Sequence, residues 1–419
     1  MSSGLGTSQC KWVFKHKLHA DGTLDRYKAR WVVRGFRQRA GVDYGKTFSP
    51  VVKPATIRTV LTIAASRRWP VNQLDVKNSF LHGTLAEEVY CHQPAGFVDA
   101  DRPNHVCRLA KSLYGLKQAP RAWFLRFADF LKTIGFTSTR SDSSLFVYTH
   151  DDDMAFLLLY VDDIVLTAST AGLLARVIAR LTSEFAMKDL GPLHFFLGIR
   201  VQCTAAGFFL CQRQYAEDVL DRVGMDTCKP SPTPIDTKGK LPHADGPRNL
   251  IKRVLRYVRG TPSLGLHLRA LARLDLRAFT DADWAGCPDT RRSTSGFCVY
   301  LEDALVSWSS KRQAIVSRSS AKAEYRGVAN AVAECVWLRQ LLGELCAPVT
   351  TATLVFCDNV SSVYLSANPV HHQRIKHVEL DIHFVRERVA LDEFHVLHIS
   401  RKQQLADVMT KGLPKDVFL

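Results

Sequence analysis

Leu157-Leu158-Leu159-Tyr160-Val161-Asp162-Asp163-Ile164-Val165-Leu166-Thr167-Ala168 sets two adjacent acids between two apolar runs. Short apolar runs broken by a polar pair predict a strand, a tight turn and a strand over Ala155–Thr167. Two neighbouring carboxylates at the tip of otherwise buried strands repel each other and lose hydration. A divalent cation that prefers hard oxygen ligands, Mg²⁺ or Mn²⁺, removes that cost. A solvated hairpin tip is the plain alternative. Asp75, at the end of the apolar run in QLDVKNSFLHG (73–83), offers a third carboxylate. Three acids of this kind are what two-metal phosphoryl chemistry requires.

Around this stretch the chain is a normal globular one. Its 419 residues predict two or three domains, with 46% hydrophobic and 23% charged residues and no low-complexity tract. The net charge of +16 favours a polyanionic partner, because neutralised phosphates release counterions. The basic residues punctuate apolar segments, as in Arg26, Lys28, Arg30, Arg34, Arg37 and Arg39. A groove that follows a nucleic-acid backbone is lined in this way. The 11 cysteines are odd in number and form no CxxC pair, which argues for reduced thiols inside a cell and against zinc or a disulfide framework. The segment MSSGLGTSQCKW has no apolar stretch, so no signal peptide is expected. The run Met154–Val161 is too short to span a bilayer, so a soluble, cytoplasmic protein with no membrane partner is expected.

Two β-prone runs, Trp12–Leu18 and Tyr27–Val33, flank Asp21-Gly22 and predict a basic hairpin. Helical spacing covers Pro54–Ser66 and Ala119–Thr133, with Val71–Val76 a short strand between them. Cys228–Pro247 holds five prolines and two glycines, a composition that excludes helix and central strand and marks a linker. Leu250–Val258 then reads as a short basic helix. Further strands are expected at Leu274–Thr280, Gly296–Leu301, Leu305–Trp308 and Thr353–Cys357. A long helix is expected at Lys322–Leu345 and a final one near Gln403–Lys411.

The motifs FSPVVKPATIR, QLDVKNSFLHG, CRLAKSLYGLKQAPRAW, LLLYVDDIVLTA and DLGPLHFFLGI, in this order, resemble the reverse transcriptase of copia-type (Pseudoviridae-like) LTR retrotransposon polyproteins. The resemblance implies an α+β right-hand polymerase, fingers and palm, with Asp75, Asp162 and Asp163 as catalytic and metal-binding carboxylates. Its substrates would be an RNA template, a DNA primer and dNTPs. It also implies that Phe80 screens the sugar 2′-position, that Gln118 lines the nucleotide pocket, and that Lys28 and Arg30 meet the triphosphate. Phe196–Ile199 resembles a primer grip. Core packing for Phe80 and a solvated strand face for Lys28 and Arg30 fit these residues equally well. Lys77 stands where the family has a polar residue such as Asn, and shares a face with Asp75 if the strand continues.

FTDADWAGCPDTRRSTSGFCVYL, the long run 306–338, LVFCDNVSSVYLS, NPVHHQRIKHVELDIHFVRE and LADVMTKGL resemble the RNase H domain of the same elements, an α/β RNase H-like fold. Asp281 and Asp358 each terminate an apolar run. Glu324 lies four residues before Val328, on the buried stripe of the long helix. Asp407 follows Leu405-Ala406 on the final helix. Acids aimed at one sheet need a metal or a proton to be tolerated. The resemblance implies that these four bind metal and cleave the RNA strand of an RNA–DNA hybrid. Asp283 is an accessory candidate if its strand continues. The family has Glu where this chain has Lys322, which by helix geometry points away from the site. His371, His372, His377 and His383 lack the neighbours of a zinc site and read as surface or core residues.

These readings divide the chain into 1–236 (fingers, palm and start of thumb), 237–270 (linker and thumb or connection remnant) and 271–419 (RNase H-like). The family pattern places several tens of residues between the DTKGKL segment and the KRVLRYVRGT helix. Here Ala244-Asp245-Gly246 runs almost directly into Pro247-Arg248-Asn249-Leu250. An internal deletion that removes the thumb's core helix is expected to weaken the hold on template–primer.

Overall fold

The computed structural model describes residues 8–19, 21–235, 246–368 and 379–418. It divides into two compact units, one of residues 1–52 and 70–192, the other of 53–69 and 193–419.

The first unit opens with β1 (Cys10–Leu18) and β2 (Leu24–Val33), paired antiparallel with Trp12 opposite Trp31. Helix α1 (Pro54–Ser66) follows in sequence but belongs to the second unit. Next come β3 (Val71–Val76), β4 (Tyr90–His92), β5 (Val106–Arg108) and α2 (Ala119–Thr133). The unit closes with β6 (Phe136–Ser138), β7 (Leu145–His150), β8 (Asp153–Tyr160), β9 (Asp163–Ala168), α3 (Ala171–Glu184) and β10 (Met187–Pro192).

One sheet in the order β10-β3-β9-β8-β7-β6 forms the centre of this unit. Its alternating Leu157, Leu159, Ile164 and Leu166 meet Trp123, Phe127 and Leu131 of α2 and Leu173, Val177 and Leu181 of α3. Each such side chain, once buried, contributes about 1.5–3 kcal/mol. The turn-forming residues at the β8–β9 junction are thereby fixed at the end of a rigid ladder. Lys77 lies just past the end of β3 and is exposed, so it does not share a strand face with Asp75.

Two glycines bind β2 to the loop before α2. A Cβ on Gly35 would lie 1.8 Å from the Gly115 carbonyl oxygen, and one on Gly115 would lie 2.0 Å from the Val33 oxygen. Gly115 also has φ +93°, where a side chain is strained. Val33 N–H donates to Tyr114 O at 2.8 Å across this approach. Gly115→Ala is expected to destabilise the chain by about 2–3 kcal/mol, read as a fall in the urea midpoint. An unchanged midpoint would mean that the close approach is not built into the fold.

In the second unit, β11 (Phe195–Phe196), β12 (Ile199–Thr204) and β13 (Gly207–Cys211) run antiparallel. They are followed by α4 (Arg213–Arg222), α5 (Gly246–Gly260) and β14 (Gly265–Arg269), which completes that sheet. Helix α5 is longer than the expected Leu250–Val258. Residues 236–245 of the Pro-rich linker lie outside the described residues, as do His371, His372 and His377. The remaining elements are β15 (Leu276–Asp283), β16 (Thr294–Leu301), β17 (Ala304–Arg312), α6 (Ser320–Glu344), β18 (Thr353–Cys357), α7 (Val360–Ala367), α8 (Glu379–Ala390), β19 (Phe394–His398) and α9 (Lys415–Phe418).

A five-stranded sheet in the order β17-β16-β15-β18-β19 dominates. Its first three strands are antiparallel, whereas β15-β18 and β18-β19 are parallel. This is the RNase H-like α/β arrangement. Helix α6 lies on the sheet, and a Cβ on Gly327 would sit 2.8 Å from Thr280 Oγ1, so glycine permits the close approach. Helix α1 joins this unit through Arg58, whose Nε donates to Val306 O at 2.7 Å and whose guanidinium lies 4.0 Å from the Trp308 ring.

Two sequence expectations are corrected here. Asp281 does not terminate its strand: β15 continues to Asp283, because Asp281, Ala282 and Asp283 still pair with Gly296, Ser295 and Thr294. The expected final helix is two short 3₁₀ turns, Arg401–Gln403 and Leu405–Met409, broken at Gln404. Gln404 takes an extended conformation, its Nε2 donating to Thr280 O and its Oε1 accepting from Ala406 N–H. The turns are held to the sheet by side chains rather than by helix propagation.

Candidate active sites

The hairpin between β8 and β9 turns through Val161 and Asp162, with Tyr160 opposite Asp163. Val161 adopts φ +58°, unfavourable for a β-branched residue. Trp123 Nε1–H holds its carbonyl at 2.6 Å, and Val76 N–H donates to Asp162 O at 2.9 Å. On the neighbouring strand Asp75 stands directly opposite Asp163. The three acids predicted from sequence are therefore brought to one end of the sheet. Burial, then Asp162, then Asp75 push the Asp163 carboxyl up to about 6. Lys188 is the register partner of Asp75 on the other side.

Lys28 and Arg30 alternate onto the half-buried face of β2. Lys28 is held below the usual ammonium range by burial and by its basic neighbours, with Asp75 opposing that shift. The Arg30 guanidinium lies 5.3 Å from the Tyr114 ring, and Tyr114 meets Phe80 edge-on with ring centroids 5.3 Å apart. Phe80 itself is partly buried against two apolar clusters. Tyr114 thus lies between the basic strand and Phe80, a place that its position in SLYGLKQ did not reveal. Gln118 is buried with both ends engaged: Oε1 accepts from Gln38 at 3.0 Å and Nε2 donates to Asp43 O at 3.2 Å. Phe196 is buried, followed by a turn through Leu197 and Gly198, both at positive φ.

In the second unit four acids converge from four elements. Asp281 is 1% exposed on β15 and Glu324 is 6% exposed in the first turns of α6. Asp358 directly follows β18, and Asp407 lies on the second 3₁₀ turn. Glu324 Oε2 is buried without a hydrogen-bond partner. Burial first, then Asp281 and Asp358, push the Glu324 carboxyl up to about 9. Asp358 is raised by burial and Asp281, against the pull of Lys411 and Arg401. Arg401 Nε lies 3.5 Å from Asp358 Oδ2. Among the described residues, Glu324, Cys357 and Asp358 form a group whose ligand atoms all lie within 4.8 Å of one another. The thiol of Cys357 was not foreseen in this cluster, since its only sequence signal is its place beside Asp358.

Lys411 was also not foreseen as a partner of the acids. Its Nζ lies 2.9 Å from Asp281 Oδ1 and 2.8 Å from Asp407 Oδ1. Asp283 shares the Asp281 side of β15, but its carboxylate fills the space where a Cβ on Gly286 would stand. Lys322 is half-buried, its N–H donating to the capping Ser319 Oγ. An unpartnered carboxyl oxygen and an ammonium held between the buried Asp281 and the partly buried Asp407 both mark a place that demands positive charge. Of the four acids, Glu324 and Asp358 stand close enough, with Cys357, for their ligand atoms to share one cation.

Two carboxylate clusters are thus on view, one at a strand hairpin and one on a mixed five-stranded sheet covered by a long helix. Residues 4–237, more than half of the chain, match the reverse transcriptase (RNA-dependent DNA polymerase) family. The chain belongs to that family, in the form found in copia-type retrotransposon Pol polyproteins. It is 43% identical to the retrovirus-related Pol polyprotein from transposon RE1 of Arabidopsis thaliana, covering 98% of this chain and 31% of that protein. It is 37% identical to the Pol polyprotein from transposon TNT 1-94 of Nicotiana tabacum, covering 98% of this chain and 35% of that one. The chain thus spans about a third of the length of the curated relatives it matches. The RE1 alignment runs over 452 residues, more than the chain contains, so that relative carries residues absent here.

Among solved structures, LC11-RNase H1 in complex with RNA/DNA hybrid gives a TM-score of 0.26 at 17% identity, over 32% of this chain and 94% of that one. The foamy viral protease-reverse transcriptase in complex with dsDNA gives 0.22 at 11% identity, over 96% of this chain and 77% of that one. Among the described residues no helix is long and apolar enough to cross a membrane.

Proposed function

We propose that the chain is an RNA-directed DNA polymerase with ribonuclease H activity, acting through Mg²⁺ or Mn²⁺ at both centres. The observation that carries this reading is the convergence of acids that lack sufficient counter-charge: Asp75 in register with Asp163 beside Asp162, and Asp281 with Glu324, Asp358 and Asp407. Bound divalent ions would supply Lewis acidity to the attacking and leaving oxygens. Asp75, Asp162 and Asp163 would hold them in the first unit, and the other four acids would do so in the second. Lys28 and Arg30 present charge to a triphosphate from one strand face. Phe80, braced by Tyr114, forms the wall beside the sugar. Gln118 enters as a pocket wall already tied to Gln38 and Asp43. The partners are an RNA template, a DNA primer, dNTPs and an RNA–DNA hybrid, with the polymerase part ending near 236 and the nuclease part beginning near 271.

A second reading, a remnant that cleaves hybrids without extending primers, draws on the alignment being longer than the chain. We place the missing residues at the thumb, between 236 and 250. One incubation with Mg²⁺, dNTPs and a primed RNA template follows both reactions. Under the first reading, Asp162→Asn abolishes extension and spares cleavage, while Asp281→Asn does the reverse. Cleavage without extension in the parent chain would select the remnant. Neither activity would leave only nucleic-acid binding.

A further inference from the structure

Lys411 is placed by a set of tertiary contacts. The Leu405–Met409 turn crosses β16 at Gly296, where a Cβ would sit 2.4 Å from Met409 Cβ and 2.9 Å from Thr410 Cγ2. Ser310 Oγ donates to Met409 O at 2.6 Å, and Thr410 Oγ1 donates to Asp281 Oδ2. Gln404, 5% exposed, anchors the start of the segment on Thr280 O at 3.1 Å. Together these contacts deliver one ammonium between Asp281, 1% exposed, and Asp407. Arg401, 88% exposed, makes only a looser approach to Asp358.

We propose that Lys411 is a built-in counter-ion of this centre, which holds the Asp281–Asp407 pair together without metal and must withdraw before a divalent cation binds those two carboxylates. The inference rests on the reading of the centre as a divalent-metal site. Its physical basis is exclusion: two carboxylate oxygens within 2.8–2.9 Å of an ammonium have no room for a second cation between them. Loss of one partner from a buried ion pair leaves the other uncompensated. The Lys411 ammonium and the divalent ion each supply that compensation, so each weakens binding of the other.

The test uses the full chain and Mn²⁺, followed by calorimetry and by the electron paramagnetic resonance of free ion. Asp281→Asn identifies which bound equivalent belongs to this centre. Lys411→Met is expected to bind that equivalent roughly tenfold more tightly, within the range of ordinary coupling between two ligands. Its melting temperature in chelator should fall below that of the parent and recover at saturating Mn²⁺, while Lys411→Arg behaves as the parent does. A second measurement needs no variant: acylation of the Lys411 amine, read by mass spectrometry, should rise when Mn²⁺ is added. Unchanged or weaker Mn²⁺ binding by Lys411→Met, or labelling that does not rise, would overturn the proposal. Equal stoichiometry in the parent and Asp281→Asn would instead remove the metal-site reading beneath it.

Discussion

Glu324→Gln is expected to raise the melting temperature of the chelator-treated chain at pH 8 and to abolish the hybrid cleavage proposed for it. Glu324 is 6% exposed, with Oε2 lacking a partner, and its carboxyl is pushed up to about 9 by burial, Asp281 and Asp358. In the unfolded chain it ionises in the ordinary carboxylate range, near 4.5. Between those two limits the folded state binds the extra proton. Stability is therefore full below the ordinary range and is lost as pH rises towards 9. Each pH unit inside the window is worth about 1.4 kcal/mol for an isolated group. Even a fraction of the window moves the melting temperature by several degrees. Glutamine keeps the shape and cannot ionise, so its stability should stay flatter from pH 5 to 9.

Divalent metal reverses the comparison. Saturating Mn²⁺ should stabilise the parent more than the variant, because a ligand that binds only the folded state adds to its stability. Cleavage should fall by more than the about 10–100-fold that loss of an outer-sphere partner costs. Differential scanning calorimetry at pH 5 and pH 8, with and without Mn²⁺, gives the stabilities, and a hybrid-cleavage assay gives the activity. A parent whose metal-free melting is indifferent to pH over this range would show that Glu324 does not carry the proton.

Trp123→Ala is expected to cost about 3–5 kcal/mol, enough to unfold many domains outright. Trp123 is 1% exposed and packs its ring 5.2 Å from Phe127, 5.4 Å from Phe185 and 5.8 Å from His82. Its indole N–H also holds the Val161 carbonyl at the turn that carries Asp162. Trp123→Phe separates the two roles, since it keeps most of the ring and deletes the donor. That variant should lose about 1 kcal/mol, the low end of the cost of an orphaned acceptor, because Val161 is only half-buried. Its primer extension, under the proposed function, should fall further than stability alone predicts, because the Trp123 donor holds Val161 at its strained positive φ. Urea titration and single-turnover extension give the two numbers. Extension that falls only in step with stability would make Trp123 a core residue and nothing more.

Much of the first centre was legible because its signals are local. The apolar runs around Asp162-Asp163 and before Asp75 specify strands by composition, and the paired acids between them specify the turn. Helices over Pro54–Ser66 and Ala119–Thr133 were readable for the same reason, from spacing and an early proline. The second centre was less so. Glu324 followed from helical periodicity, but Asp281 lies within β15 because a neighbouring strand extends the pairing beyond the apolar run. Asp407 lies on a 3₁₀ turn because Gln404 bonds across to Thr280 in preference to continuing a helix.

By itself the sequence determined the two families of motif, the seven candidate acids, and most of the elements that carry them, since each depends on residues close together in the chain. The tertiary structure alone decided which charges meet. Lys411 reaches Asp281 across 130 positions, Trp123 reaches Val161 across 38, and Gln118 is satisfied by Gln38 across 80. Hydrogen bonds and ion pairs act over a few ångströms of space, whatever the distance along the chain. No periodicity in the sequence encodes that meeting.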